Sequence, residues 1–378
     1  MSESEDAQPS RREKRAPRIV MVSANAFPVM GGVETHVNEV APRVAEAGFD
    51  VTILTTDRGG RLARQERLNG VPVQRVRAWP ASKDWYLAPG IARAIMRGGW
   101  DLVHCQGYHT FVPPLAMLAA TRARIPFVLT FHSGGHPSTT RKRLRGLQRR
   151  QMRPLLARAR KLIAVSQFEA EFFSRELRIA PKRFVTIANG AAMDPPPEPV
   201  QIDEARPVIV SAGRLERYKG HHRLIEALPF LLREVPGARL RIIGAGQYEG
   251  ELRRLAGESI TPDRIEIGSI DPVDRQGMAR ALAGASLVAL LSEYEANPVT
   301  VMEALALGRR VLVADTSGLS ELAPRGLARA IPLSATPERI AQQIAEQLRA
   351  PEPGQLNLPT WDDCAASLVE VYREVLAA

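Results

Sequence analysis

Short apolar runs alternate along this chain with longer stretches in which apolar residues return every three or four positions. A run of about four to eight apolar residues reads as a buried strand, and the helical recurrence as a helix packed on it. In the first half, the runs at 18–23, 51–55, 71–77, 102–105, 127–131, 162–165 and 184–187 predict strands. In the second half, those at 208–212, 240–243, 264–267, 287–291 and 310–314 do the same. Val33, Val37, Val40 and Val44 line one face of a helix that stops at Gly48, and further helices are predicted around 115–120 and over 222–232. Strands alternating with helices in this way build a doubly wound parallel sheet, an α/β fold that binds ligands at the carboxyl ends of its strands. The pattern occurs twice. A stiff proline-rich stretch begins at Asp194, so the chain divides into a unit over 18–194, a linker over 195–206 and a unit over 207–360. Residues 1–17 are polar and charged and are expected to form a disordered tail, and 361–378 a terminal helix.

The stretch 286–308 carries the densest chemistry. After its strand comes a polar loop, then a helix for which Asn297 suits the N-cap, Pro298 the first position and Gly308 the far end. Within that helix Glu303 is the only charge, set among Val301, Met302, Ala304, Leu305 and Leu307. A carboxylate on so apolar a helix is costly to bury unless something donates hydrogen bonds to it. Glu295 lies eight residues earlier, in the loop. Two carboxylates therefore stand at a strand's carboxyl end beside a helix amino terminus, whose free N–H groups attract anions. That suits a ligand with hydroxyls to hold and phosphates to neutralise, and it makes Asn297, Pro298, Val299 and Thr300 candidate contacts. The bland alternative is an exposed loop glutamate plus a helix glutamate satisfied by a neighbouring arginine.

Other strand-end loops add candidates. The loop from Gly213 to Gly220 brackets its turn with Arg214 and Lys219. Arginine can grip a phosphate through two donors, and lysine acts as a point charge. Gly31 and Gly32 precede the first helix, where an anion could approach the backbone closely. His132 ends a strand just before Gly134 and Gly135, with His136 beyond. Gly244 and Gly246 follow the strand at 240–243, but the next glycine, Gly250, misses the dinucleotide spacing by one residue. The loops at 268–270, which includes Ile270, and at 315–321 occupy equivalent positions.

With 378 residues, 45% hydrophobic and 24% charged, the chain can form two full cores. No apolar run approaches bilayer length and no signal-peptide core is present, so a cytoplasmic protein is expected. Cys105 and Cys364 lie far apart and read as reduced thiols. A net charge of +10 favours an anionic partner. Its densest focus is 141–161, with ten Lys or Arg residues, no acid, and a partial apolar stripe from Leu144, Leu147 and Leu155. Pro154 is expected to interrupt any single helix there. An anionic membrane surface is the expected partner, the alternatives being a solvated face or one that grips an anionic soluble acceptor. No Asp-x-Asp, no His/Cys cluster and no Gly-x-Ser-x-Gly occurs, so no metal or cofactor is expected.

The order Glu295, seven residues, Glu303, Ala304 and then Gly308 resembles the donor-site signature of retaining family 4 glycosyltransferases of the GT-B type. Gly213-Arg214-Leu215, three residues, Lys219-Gly220 is similar to that family's diphosphate loop, and Phe131-His132-Ser133-Gly134-Gly135 to its cleft histidine. The resemblance spans residues 18–376. It implies two Rossmann-like domains facing a central cleft, the amino-terminal one binding the acceptor and the carboxyl-terminal one a nucleotide-sugar. It implies a hexosyltransferase that moves a sugar from a UDP- or GDP-linked donor to a hydroxyl of a glycan, glycolipid or lipid-linked acceptor, giving an α-linkage. In the family's assignment Glu303 holds the ribose hydroxyls, and Glu295 binds the donor sugar and supports its developing positive charge. His132 lies against the transferred sugar, and backbone groups near Ile270 contact the base. The stretch 361–376 resembles the helix that returns to the first domain. Arg214, Lys219 and helix termini would neutralise the leaving diphosphate, the role a metal would otherwise fill. A nucleotide-sugar epimerase or a phosphorylase of similar fold stays open. A nucleic-acid-binding protein would explain the charge but not four charged residues at strand-end loops, and aromatics at 5% supply no stacking platform.

Overall fold

The computed structural model describes residues 15–378 except 30, 82–85, 133–138, 272, 352 and 355, with backbone alone at 139–145 and 147. Eight strands form the first sheet: β1 Arg18–Val22, β2 Asp50–Asp57, β3 Gln65–Leu68, β4 Val71–Arg77, β5 Leu102–Gln106, β6 Phe127–Thr130, β7 Leu162–Ala164 and β8 Phe184–Thr186. Their order is β3-β4-β2-β1-β5-β6-β7-β8, parallel throughout except for β3 against β4. Six form the second: β9 Val208–Ala212, β10 Arg239–Ile243, β11 Ile265–Gly268, β12 Leu287–Leu290, β13 Val311–Ala314 and β14 Arg329–Ile331. Their order is β11-β10-β9-β12-β13-β14, all parallel. In both sheets the winding reverses beside the first strand, between β1 and β5 and between β9 and β12. Crevices open at such switch points, and the candidate loops lie there.

Helices cover both faces: α1 Gly32–Glu46, α2 Pro89–Arg97, α3 Val112–Ala123, α4 Thr139–Leu156, α5 Gln167–Leu177, α6 His221–Glu234, α7 Glu249–Glu258, α8 Arg275–Ala283, α9 Val299–Ala306, α10 Pro337–Arg349 and α11 Trp361–Ala377. Two predictions about them need correction. Pro154 does not divide the basic stretch, because it falls in the last turn of α4, where little helix remains to be broken. Asn297 does not cap α9; Pro298 is the N-cap, extended at φ −80°, and no side chain caps this helix.

One helix crosses between the units. Trp361, Leu368 and Tyr372 of α11 are buried with Val37, Val40 and Val44 of α1 and Ile19 and Met21 of β1 in a single core of the first unit. A capping box between Thr360 and Asp363 starts that helix.

Candidate active site

Loops from β9, β12 and β13 converge on one carboxylate. Glu295 accepts hydrogen bonds from Lys219 Nζ at 2.5 Å and from Ser292 Oγ at 2.8 Å. Its backbone N–H donates to Ser317 Oγ at 2.9 Å. Only 12% of the Glu295 side chain and 14% of that of Lys219 are exposed, so the pair is largely withdrawn from water. Such a pair survives burial only with further hydrogen bonds, which Ser292 supplies. The loop geometry depends on glycine at Gly220, where φ is +75° and a Cβ would meet the carbonyl oxygen of Leu291.

Glu303 is buried in α9 and pairs with Arg275 at the start of α8, at 2.6 Å. Burial pushes the Glu303 carboxyl above the usual range, and Arg275 opposes that shift. The partner that an apolar helix demanded is therefore an arginine, as in the bland alternative for this residue. Glu295 departs from that alternative, being sheltered and held by three loops.

Arg214 donates to the Tyr218 hydroxyl at 2.9 Å and stands within electrostatic reach of Glu34 in α1. Gly213 precedes it at φ +151°, and Gly244 packs on the Gly213 carbonyl. Gly31 is the N-cap of α1. Gly32, its first residue, is so placed that a Cβ would lie 3.8 Å from Val299 Cγ2 at the start of α9. The amino termini of α1 and α9 thus face each other across the cleft. Ile270 is half-buried after β11, against the core of the second unit.

On the opposite wall, His132 follows β6 with its Nε2 2.7 Å from Gln106 Oε1. Its ring meets that of His36 edge to face at 4.6 Å, and His36 Nδ1 lies 2.9 Å from Asn189 Oδ1. Burial keeps this cluster neutral: His36 falls to about 4 and His104 to about 3, and His132 lies well below its ordinary value. Gly134, Gly135 and His136 lie outside the described residues. Asn297 donates from Nδ2 to the Val165 carbonyl at 3.2 Å, which is why it does not cap its own helix. Glu321 accepts from the Phe168 N–H at 2.6 Å and from the Gln167 N–H at 3.4 Å, so a carboxylate of the second unit caps α5 of the first.

The structure therefore brings Glu295, Lys219, Arg214, Glu303 and the start of α9 to one wall of the cleft, and Gly31, Gly32 and His132 to the other. Sequence reasoning missed Arg275, Gln106 and Glu34. Arg275 and Gln106 lie far along the chain from their partners, and Glu34 looks like an ordinary first-turn acid. Among the described residues, no three His, Cys, Asp or Glu side chains gather as a metal site, and no helix is long and apolar enough to cross a membrane.

Residues 30–194 match the family model described as Glycosyltransferase Family 4, and 196–355 match the one described as Glycosyl transferases group 1. A phosphatidyl-myo-inositol mannosyltransferase of Mycolicibacterium smegmatis is 28% identical, over 96% of this chain and 95% of its own. A GDP-mannose:cellobiosyl-diphosphopolyprenol alpha-mannosyltransferase of Xanthomonas oryzae is 26% identical, over 81% of this chain and 80% of its own. Among solved structures, sucrose-phosphate synthase from Thermosynechococcus elongatus superposes with a TM-score of 0.74 at 20% identity, covering 96% and 99% of the two chains. An Anabaena protein in complex with UDP and glucose gives 0.68 at 19%, covering 94% and 95%. At these identities the structural likeness speaks for the fold.

Proposed function

The chain belongs to the family 4 glycosyltransferases of the GT-B fold, and on that premise we propose that it moves a hexosyl unit from a UDP- or GDP-sugar to a hydroxyl of a glycan, glycolipid or lipid-linked acceptor, with retention. The observation that carries this reading is the convergence of two sheltered carboxylates, two cations and two facing helix amino termini at the switch points of both sheets. Arg214, Lys219 and the amino terminus of α9 hold the donor's diphosphate and stabilise it as it leaves. Glu303, on the nucleotide side, takes the ribose hydroxyls. Glu295 takes hydroxyls of the sugar and supports positive charge at its anomeric carbon. His132 faces the sugar from the acceptor side. The departing phosphate accepts the proton of the attacking hydroxyl on the same face of the ring, so no second carboxylate is needed as nucleophile. No metal is required in this scheme, because protein cations already meet the diphosphate.

The relatives named above for mannosyl transfer to phosphatidyl-inositol and to a polyprenol diphosphate favour a lipid-linked acceptor. The basic stretch 141–161, within the first unit, would then rest on an anionic membrane surface.

A thermal-shift screen against UDP, GDP, ADP and dTDP sugars tests the donor reading. The right donor at a hundredfold over its Kd should add about 2.7 kcal/mol of stability. No response to any of the four would overturn it. Transfer should survive EDTA; abolition by EDTA with recovery on Mn²⁺ would remove the metal-free scheme.

The phosphate contacts make a separate prediction. Arg214→Ala should weaken nucleoside diphosphate far more than nucleoside, by on the order of 1.5–3 kcal/mol for a lost charged hydrogen bond. Calorimetric titration with both ligands checks it, and equal losses would give the loop another role.

A further inference from the structure

His132 holds a left-handed backbone, φ +57°, a region that bulky side chains avoid. Its ring must therefore be kept in place by what surrounds it. Nε2 lies 2.7 Å from Gln106 Oε1, and Gln106 is buried at the end of β5. Which end of the Gln106 amide faces His132 follows from its other neighbour. The amide nitrogen stands 3.4 Å from His104 Nδ1 and 3.3 Å from His104 Nε2. Near-equal distances leave two approaches, in the ring plane past Cε1 or over the ring face. The in-plane approach at that range would drive the amide into Cε1, so it lies over the face. An electron-rich face accepts an N–H and repels a carbonyl oxygen. The His104 nitrogens are themselves engaged, Nδ1 with the Tyr372 hydroxyl at 2.5 Å and Nε2 with the Thr130 hydroxyl at 2.8 Å. The amide is thereby oriented, with its NH₂ over His104 and its oxygen toward His132.

An amide oxygen only accepts, so His132 Nε2 carries a hydrogen. We propose that Gln106 is a positioning residue that fixes His132 as the Nε2–H tautomer and leaves Nδ1 as a lone-pair acceptor for a substrate hydroxyl. This rests on the reading of the cleft as the site of sugar transfer. His132 is only partly buried, and its Nδ1 has no hydrogen-bond partner among the described residues. The titratable groups that face the ring are His36 of α1, His104 of β5 and His109 of the following loop, and each of them, like burial, disfavours a second proton. A ring kept neutral in this way receives a hydrogen bond from the substrate and does not serve as its acid.

Nitrogen-15 NMR of the labelled full chain reads the tautomer directly, with His132→Asn identifying the signals. The expected spectrum has a protonated Nε2 and an unprotonated Nδ1, and the converse would overturn the assignment. Gln106→Glu sets a carboxylate against the Nε2–H, which favours the imidazolium. The acid limb of the kcat/KM profile, which reports the free enzyme, should then move up by about one pH unit or more. A residue that merely fills space would lower the rate without moving the limb, and an unmoved limb in Gln106→Glu would sink the proposal. If His132→Asn transfers sugar at the full rate while NMR shows the Nε2–H tautomer, the cleft reading fails and the role of Gln106 in setting the ring stands.

Discussion

Glu295→Ala should lower kcat by about 10- to 150-fold, the equivalent of a lost charged hydrogen bond of roughly 1.5–3 kcal/mol, while the Kd for nucleoside diphosphate changes much less. The carboxylate is held by Lys219 and Ser292, and on the proposed function it takes hydroxyls of the sugar, with the nucleotide left to other groups. Glu295→Gln keeps the shape and the Ser292 contact and loses the charge, so its rate should fall between wild type and alanine. Steady-state kinetics with saturating donor decide the matter. Wild-type kcat in both variants would remove Glu295 from the transition state and leave it as one half of a structural ion pair.

Glu303→Ala should act in the opposite place, raising the donor Kd by about 10- to 150-fold on the same energetic scale, with a smaller change in kcat. A purely structural role, neutralising Arg275, is the competing account, since the two are 2.6 Å apart. Deoxy nucleotides separate them. If Glu303 holds ribose hydroxyls, wild type should discriminate against a 2′,3′-dideoxy nucleoside diphosphate and Glu303→Ala should not. Discrimination unchanged by the substitution would assign Glu303 to the ion pair alone.

The unit around Glu295 and Glu303 was legible in the sequence because its signals are local. An apolar run, a polar loop and an apolar helix ended by glycine occupy consecutive residues, and the structure has β12, α9 and β13 there. Strand β3 was not legible. Gln65-Glu66-Arg67-Leu68 is nearly all polar, and it is a strand only because β4 pairs with it antiparallel at the sheet's edge. The three residues of β14 are too few to show a period. Site residues divide along the same line. Glu303 advertised a need for a partner, but the partner, Arg275, sits on another helix whose packing no local spacing encodes. Gln106 lies just past the apolar run at 102–105, and local spacing does not show that its side chain and that of His104 are both buried, or that His104 reaches Tyr372 on α11. Asn297 has every local property of an N-cap and was drawn away by a carbonyl in the other unit.

The return of α11 to the first unit sets an order of events during synthesis. Trp361, Leu368, Tyr372 and Val375 are part of the core that β1 and α1 begin. A ribosome that has just finished β8 still has the whole second unit to make, which at about 5–20 residues per second takes roughly ten to forty seconds. Throughout that interval the groove for α11 stands open, and His104 lacks the Tyr372 hydroxyl that later anchors it. The first unit thus stays unfinished until α11 has emerged, and a chain truncated before Trp361 is expected to leave that apolar groove exposed.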